Sequence, residues 1–284
     1  MSNDNINSVA RSTDITDDEI YKELLMSVDT NISLDSVILS TINKEKIKGF
    51  LQENDNRAKL LRYNLRPTNR LLFYGASGCG KTFLGKALCN YMGYTMLYVD
   101  IATSLSQGKV AINLSNIFRL ANKLGKCMIF LDEADSIAWR RDSDTAEGGD
   151  IRRATNSLFQ LLDQMSPDVV VVCATNMLHR LDPAFERRFD LKLQFDRPEK
   201  NLREILRKFI YDDFVLVIDR VDEVVERRSR LSFYELQGVA ERMMKKAVIN
   251  NTNKILMTDV YLEMARAMNV KVGFHTDTDD YFKA

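Results

Sequence analysis

Eight consecutive residues carry the strongest chemical signal in the chain: Gly75, Ala76, Ser77, Gly78, Cys79, Gly80, Lys81 and Thr82. The pattern G-x-x-x-x-G-K-T lies directly after a strand-like run, LLFY, and directly before a helix-like one, TFLGKALCNYMG. Glycines let the backbone turn so that successive N–H groups and a helix N-terminus face phosphate oxygens. Lys81 supplies a point charge for the outer phosphates, and the Thr82 hydroxyl is a magnesium ligand. The implied chemistry is the binding of ATP with Mg2+, with the adjoining Phe83 counted among the nucleotide contacts. Further along, CMIFLDEAD ends an apolar run on Asp132 and Glu133. Ligands sit at the carboxyl ends of strands in open α/β sheets, so position makes this pair interesting. Asp132 is expected to hold the metal through its water shell, and Glu133 to orient and deprotonate the attacking water. A lone acid pair reads as a solvated turn; downstream of the glycine loop it reads as the second half of a hydrolytic site. Asp135 reads as a structural acid of the turn that follows.

These residues need a scaffold, and the pattern supplies one. From Leu71 onward, the apolar runs LLFY, TMLYVD, CMIFLD and VVVVCATN alternate with helical stretches. Strands apolar on both faces and separated by helices imply an α/β fold with a central parallel sheet flanked by helices, and the glycine-lysine motif makes the expected fold a P-loop NTPase. After Phe195 the pattern is of helices only, over 199–214, 232–251 and 258–268, which predicts a small all-α domain. There SFYE, Ser232 to Glu235, has the spacing of a capping box. Upstream, 33–40 reads as a short strand and 41–62 as one helix. Residues 1–16 are polar and aperiodic, and DDEIYKELLMSV reads as a short amphipathic helix. The expected organisation is a tail and helix over 1–32, a nucleotide-binding domain over 33–198 and a helical domain over 199–284.

Composition sets outer bounds. The 284 residues are 45% hydrophobic and 28% charged, an ordinary globular balance. Forty basic residues against forty acidic ones leave a net charge of +0, so no global field draws the chain to nucleic acid or an anionic membrane. No apolar run is long enough to span a bilayer, and a cytoplasmic location is expected. The 4 cysteines form no CxxC pair and read as reduced structural thiols; the 2 histidines have no neighbours at ligand spacing, so no protein-built zinc site is expected.

GASGCGKT, FLDEAD, VCATN and LDPAFERRFD, in this order, resemble the AAA+ ATPases, specifically the subgroup with the second region of homology, from Ile38 to about Ala267. The resemblance implies that Asn176 positions the attacking water and senses the γ-phosphate. It also implies that Arg187 and Arg188 reach the neighbouring subunit's nucleotide as arginine fingers, planar cations that stabilise the phosphoryl-transfer transition state. Taken alone, two arginines at a helix end read as surface salt bridges. A finger given in trans requires a closing head-to-tail assembly, so a homohexamer is implied. Arg152 and Arg153 fall where relatives place subunit contacts, or else on an exposed helix face. The C-terminal helices resemble the family's lid, whose sensing arginine has no clear counterpart here beyond Arg230. VILSTINKEK and the residues after it are similar to stand-alone bacterial and phage AAA ATPases, some encoded beside a subtilisin-like protease.

The family's protein-threading members carry an aromatic, an apolar residue and glycine in the loop after the second strand; here 106–112 reads SQGKVAI. Losing that ring removes apolar grip worth about 1–3 kcal/mol. A second candidate channel loop is TAEGGD, 145–150, and Trp139 reads as packing. Three functions are compatible: a remodeller of a protein partner, a nucleotide-controlled assembly switch that recruits an effector, and a loader-type ATPase acting on nucleic acid, which the balanced charge disfavours.

Overall fold

The computed structural model describes residues 28–101, 110–137, 148–198, 202–217 and 230–268. The expected N-terminal helix, Ser106 to Lys109, Trp139 and 145–147 lie outside them. Two compact units form: one holds the chain to Gly75 with Lys81–Gln194, the other holds Ala76–Gly80 with the chain from Phe195.

The first unit is built on strands β1 (Arg70–Gly75), β2 (Thr95–Asp100), β3 (Cys127–Asp132), β4 (Val169–Thr175) and β5 (Leu191–Phe195), in the order β2-β3-β4-β1-β5. β2 pairs with β3, β3 with β4 and β4 with β1, all in parallel. Side chains alternate across a strand, and both alternating sets are apolar here. Leu97, Val99, Ile129, Leu131, Val171 and Cys173 join a core with helices α4 (Val110–Leu124) and α5 (Gly148–Gln164). On the other set, Phe130 meets α3 (Lys81–Met92), where Gly85 gives it room: a Cβ at Gly85 would lie 2.3 Å from Phe130 Cε2. Phe130 is fully buried against Phe73 and Tyr98, so its ring has nowhere to go. Gly85→Ala is therefore expected to destabilise this unit by about 1–3 kcal/mol despite the better helix propensity of alanine. The fall would be read as a lower urea midpoint at unchanged slope; an equal or higher midpoint would contradict the packing described.

The polar flank departs from the expected pattern. Residues 33–40 form no strand. Leu34–Ser36 is a 3-10 turn in which Ser33 Oγ accepts from the Asp35 N–H and Ser36 Oγ donates to the Ser33 carbonyl, local bonds that compete with a ladder. The single helix expected over 41–62 is two, α1 (Thr41–Asp55) and α2 (Arg57–Arg62), separated at Asn56, whose side chain donates to the Gln52 carbonyl at 2.9 Å. α1 has a purpose in the sheet: Asn43 Nδ2 and Lys46 Nζ donate to the carbonyls of Gln194 and Lys192 at 2.7 and 2.8 Å. Carbonyls of the edge strand β5 are satisfied in this way rather than left open to another chain.

The second unit packs α7 (Leu202–Phe209), α8 (Phe233–Ile249) and α9 (Met257–Ala267). Along α8, Leu236, Val239, Ala240, Met243, Met244 and Ala247 recur at helical spacing and are buried. Glu263 of α9, 3% exposed, is held by Arg242 at 2.8 Å and Arg266 at 2.6 Å. The expectation of helices only needs correcting, because β6 (Val215–Val217) pairs in parallel with β7 (Lys254–Leu256). Strands of three residues are too short for periodicity to register.

The capping box forms as its spacing predicts. Ser232 N–H and Oγ–H donate to Glu235 Oε2 at 2.7 and 2.8 Å, and the Glu235 N–H donates to Ser232 Oγ at 3.3 Å. These Ser232 bonds hold the Glu235 carboxyl below its usual range. A folded pKa below the unfolded one stabilises above the unfolded value, about 4.3, and the benefit is lost as pH falls through the folded value. Glu235→Ala should thus cost on the order of 1 kcal/mol at neutral pH, with the gap to wild type closing in acid. A gap that stays constant into acid, measured by denaturation across pH, would rule this out.

Candidate active site

Strand order brings the candidate residues together. Because β4 lies between β1 and β3, its carboxyl end falls between the exit of β1 and the acid pair. Lys81, the first residue of α3, is only 6% exposed, and its ammonium donates to the Gly75 carbonyl at 2.8 Å and to Asn176 Oδ1 at 2.7 Å. Thr82 Oγ1 donates to Asp132 Oδ2 at 3.0 Å, and the Glu133 N–H donates to Asp132 Oδ1 at 3.0 Å. Glu133 itself is left-handed, at φ 54° and ψ 42°. That conformation stores about 1–3 kcal/mol in a residue with a Cβ and recurs at working sites. It ends β3 abruptly, directly after Asp132. Burial first, then the charges of Asp100, Asp132 and Asp135, push the Glu133 carboxyl above its usual range, the direction that suits a general base.

The loop residues adopt the backbone their glycines allow. Gly75, Gly78 and Gly80 have φ of 137°, 71° and 94°. A Cβ built on Gly80 would meet nothing within 4 Å, whereas one on Gly78 would come 2.8 Å from Ser232 Oγ. The Tyr234 N–H also donates to the Gly78 carbonyl at 3.1 Å. Ala76, Ser77 and Cys79 complete the loop, Cys79 buried and Phe83 exposed on α3. The donor set fits the expected group: a hydroxyl and carboxylate oxygens suit a hard dication, and a lysine with main-chain amides suits phosphate. Thr82 and Asp132 would hold Mg2+, which when bound would neutralise charge on the phosphates. Lys81 and the loop amides would hold ATP, Glu133 would take the water's proton, and Asn176 would orient that water.

Two neighbours have contacts that are not legible in sequence: Tyr98, which carries no motif, and Thr175, whose place in VCATN names no partner. Tyr98 of β2 donates its hydroxyl proton to Asp132 Oδ2 at 2.8 Å; burial, and after it the bond to Asp132, pushes the phenol pKa up. Thr175 of β4, 1% exposed, donates to Asp135 Oδ1 at 2.6 Å and accepts from the Met177 N–H at 2.9 Å. Asp135 sits in the turn Ala134–Ser136 as expected, and through Thr175 it also braces the backbone on both sides of Asn176. Only their places at neighbouring strand ends could have pointed to these residues.

In LDPAFERRFD most letters have packing roles. Asp182 caps α6 (Pro183–Glu186) by accepting from the Ala184 N–H at 2.7 Å, and Pro183 starts the helix. Phe185 stacks on Phe159 and meets Phe189 edge-on, while Asp190 binds Arg70 at 2.7 Å. Arg188 is engaged too: it pairs with Asp163 at 3.3 Å, donates to the Ala184 carbonyl at 2.8 Å and lies 4.3 Å from the centroid of Phe159. Arg187 is exposed, and its guanidinium has no hydrogen-bond or ion-pair partner among the described residues. Arg152 and Arg153 lie on an exposed face of α5, and Arg230 is exposed just before α8. All four cysteines are free and buried; burial pushes Cys89 and Cys127 to about 12, which leaves them inert thiols.

A parallel sheet of this order, a glycine loop running into a helix, and acids on the adjacent buried strand define a P-loop ATPase. Residues 71–197 match the model of the family described as ATPase family associated with various cellular activities (AAA). The AAA family ATPase y4kL of Sinorhizobium fredii is 28% identical over 243 residues, 85% of this chain and 73% of that one. A 26S proteasome regulatory subunit 6B homologue of Dictyostelium discoideum is 32% identical over 223 residues, 74% of this chain and 53% of its own. A 26S proteasome regulatory subunit homologue of Methanothermobacter thermautotrophicus is 29% identical over 249 residues, 84% of this chain and 64% of its own. This chain therefore spans less than two thirds of the proteasome-named relatives. Residues 71–197 are an AAA domain, and the relative named AAA family ATPase supports ATP hydrolysis by this chain. No helix among the described residues is long and apolar enough to cross a membrane.

Proposed function

We propose that this chain is a Mg2+-dependent ATPase that works as a homo-oligomer, a hexamer by expectation, and couples hydrolysis to remodelling of a protein partner. Residues 33–198 act as the nucleotide-binding domain and 199–284 as the lid. The observation that carries the reading is the convergence of Lys81, Thr82, Asp132 and Asn176 within direct hydrogen bonds at adjoining strand ends. An exposed guanidinium at Arg187 with no partner among the described residues supports assembly, since such a cation is available to a second copy. Relatives named as proteasome regulatory subunits support a protein rather than a nucleic acid as partner. The absence of an aromatic residue from 106–112 points to repositioning a folded partner instead of processive threading. The same feature favours a second reading, an assembly switch in which ATP builds a ring that recruits a separately encoded effector such as a protease.

The test is ATPase activity with Mg2+, alone and with unstructured polypeptide, folded candidate proteins or DNA, beside native mass measurements in ATP and in ADP. Stimulation by a folded protein supports the remodeller. Stimulation by DNA alone overturns it, and assembly in ATP without stimulation by any protein favours the switch.

A further inference from the structure

We propose that Tyr98 is a positioning residue for the metal: its hydroxyl fixes the orientation of the Asp132 carboxylate so that the site takes Mg2+ in preference to a larger dication. The inference rests on the reading that Thr82 and Asp132 hold the metal. Asp132 Oδ2 accepts two hydrogen bonds, from Thr82 at 3.0 Å and from Tyr98 at 2.8 Å. With the cation bound, Thr82 would be one of its ligands, which would leave Tyr98 as the donor on the carboxylate.

The phenol is well placed to stay. Tyr98 and Phe130 are paired in register across β2 and β3, and their rings stack with centroids 5.6 Å apart and planes 10° from parallel. Phe130 in turn meets Phe73 edge-on and is fully buried. The hydroxyl is therefore carried on a ring stacked against a buried neighbour, one strand away from the carboxylate it holds. Mg2+ demands near-ideal octahedral geometry, whereas Ca2+ accepts irregular sites. A carboxylate held in one orientation discriminates between them; one free to rotate does so less. Partners behind a metal ligand tune affinity in this way, and for an acid acting through water the effect is expected at the lower end of the usual range.

Tyr98→Phe keeps the stacked ring and removes only the hydroxyl. Binding of methylanthraniloyl-ADP would be followed in EDTA and then across stepped Mg2+ or Ca2+, in wild type and variant. The expected result is unchanged affinity in EDTA, a Mg2+ midpoint raised roughly 3- to 10-fold, and a smaller shift for Ca2+. An unchanged or lowered Mg2+ midpoint overturns the proposal, as do equal shifts for both cations accompanied by weaker binding in EDTA, which would mark general loosening. Wild-type protein that binds the nucleotide without any dependence on Mg2+ would overturn the metal-site reading itself. A normal wild-type dependence with an unaltered variant removes only the role of Tyr98.

Discussion

Glu133→Gln is expected to lower ATP turnover by about 100- to 10,000-fold while leaving nucleotide affinity in place. The amide is the same size and keeps its backbone bond to Asp132 Oδ1 at 3.0 Å, but it takes no proton from water. Three carboxylates, Asp100, Asp132 and Asp135, surround Glu133 and, after burial, push its pKa upward. That makes it a better base and also shifts its loss of function toward higher pH. Activity of the wild type should therefore fall, on acidification, before an ordinary glutamate would protonate, while the residual rate of the Gln variant should lack that acid limb. Steady-state rates with direct nucleotide binding across pH would check both. Wild-type turnover in the Gln variant would remove the base role from this residue.

The second large effect is expected at Arg187. Removing a finger of this kind lowers turnover by about 10³- to 10⁵-fold without touching the nucleotide pocket of the same subunit. The adjacent Arg188 should behave differently. Its contacts to Asp163, the Ala184 carbonyl and the Phe159 ring are partly solvent-exposed and worth about 1–2 kcal/mol together. Arg188→Ala is expected to lower stability first, and Arg187→Ala to spare stability and nucleotide binding but abolish turnover. Mixing Arg187→Ala with Glu133→Gln subunits should restore part of the activity, because a mixed interface can pair an intact base with an intact arginine. No recovery on mixing, or loss of turnover confined to Arg188→Ala, would show that Arg187 is not the group supplied across an interface.

Much of the fold is readable from local chemistry. Four of the five strands of the main sheet are continuous apolar runs, and the box at Ser232 and Glu235 forms as its spacing requires, because such signals depend on residues a few positions apart. β5 is harder to read. Its Leu191-Lys192-Leu193-Gln194-Phe195 alternation is that of an edge strand, and its partner, Arg70 to Gly75, is distant in the chain. The 33–40 segment looks strand-like by its apolar residues, yet Ser33 and Ser36 bond their own backbone instead. The paired strands β6 and β7 arise only from packing in the second unit, too short for any pattern to announce.

The same division holds for the site. Residue type and spacing alone point to the phosphate loop and the acid pair, because each meets its chemical need through adjacent backbone: glycines that turn, a lysine at a helix start, acids at a strand end. Asn176 is singled out only by the family resemblance. Only the tertiary structure decided that Lys81 touches Asn176, that Thr175 is braced by Asp135, that Tyr98 reaches Asp132, and that of two neighbouring arginines one is bound and the other open. For the contacts of Lys81 with Asn176 and of Thr175 with Asp135 the physical reason is the insertion of β4 between β1 and β3. That crossover brings together strand ends widely separated along the chain, and no local preference encodes which strands will lie side by side.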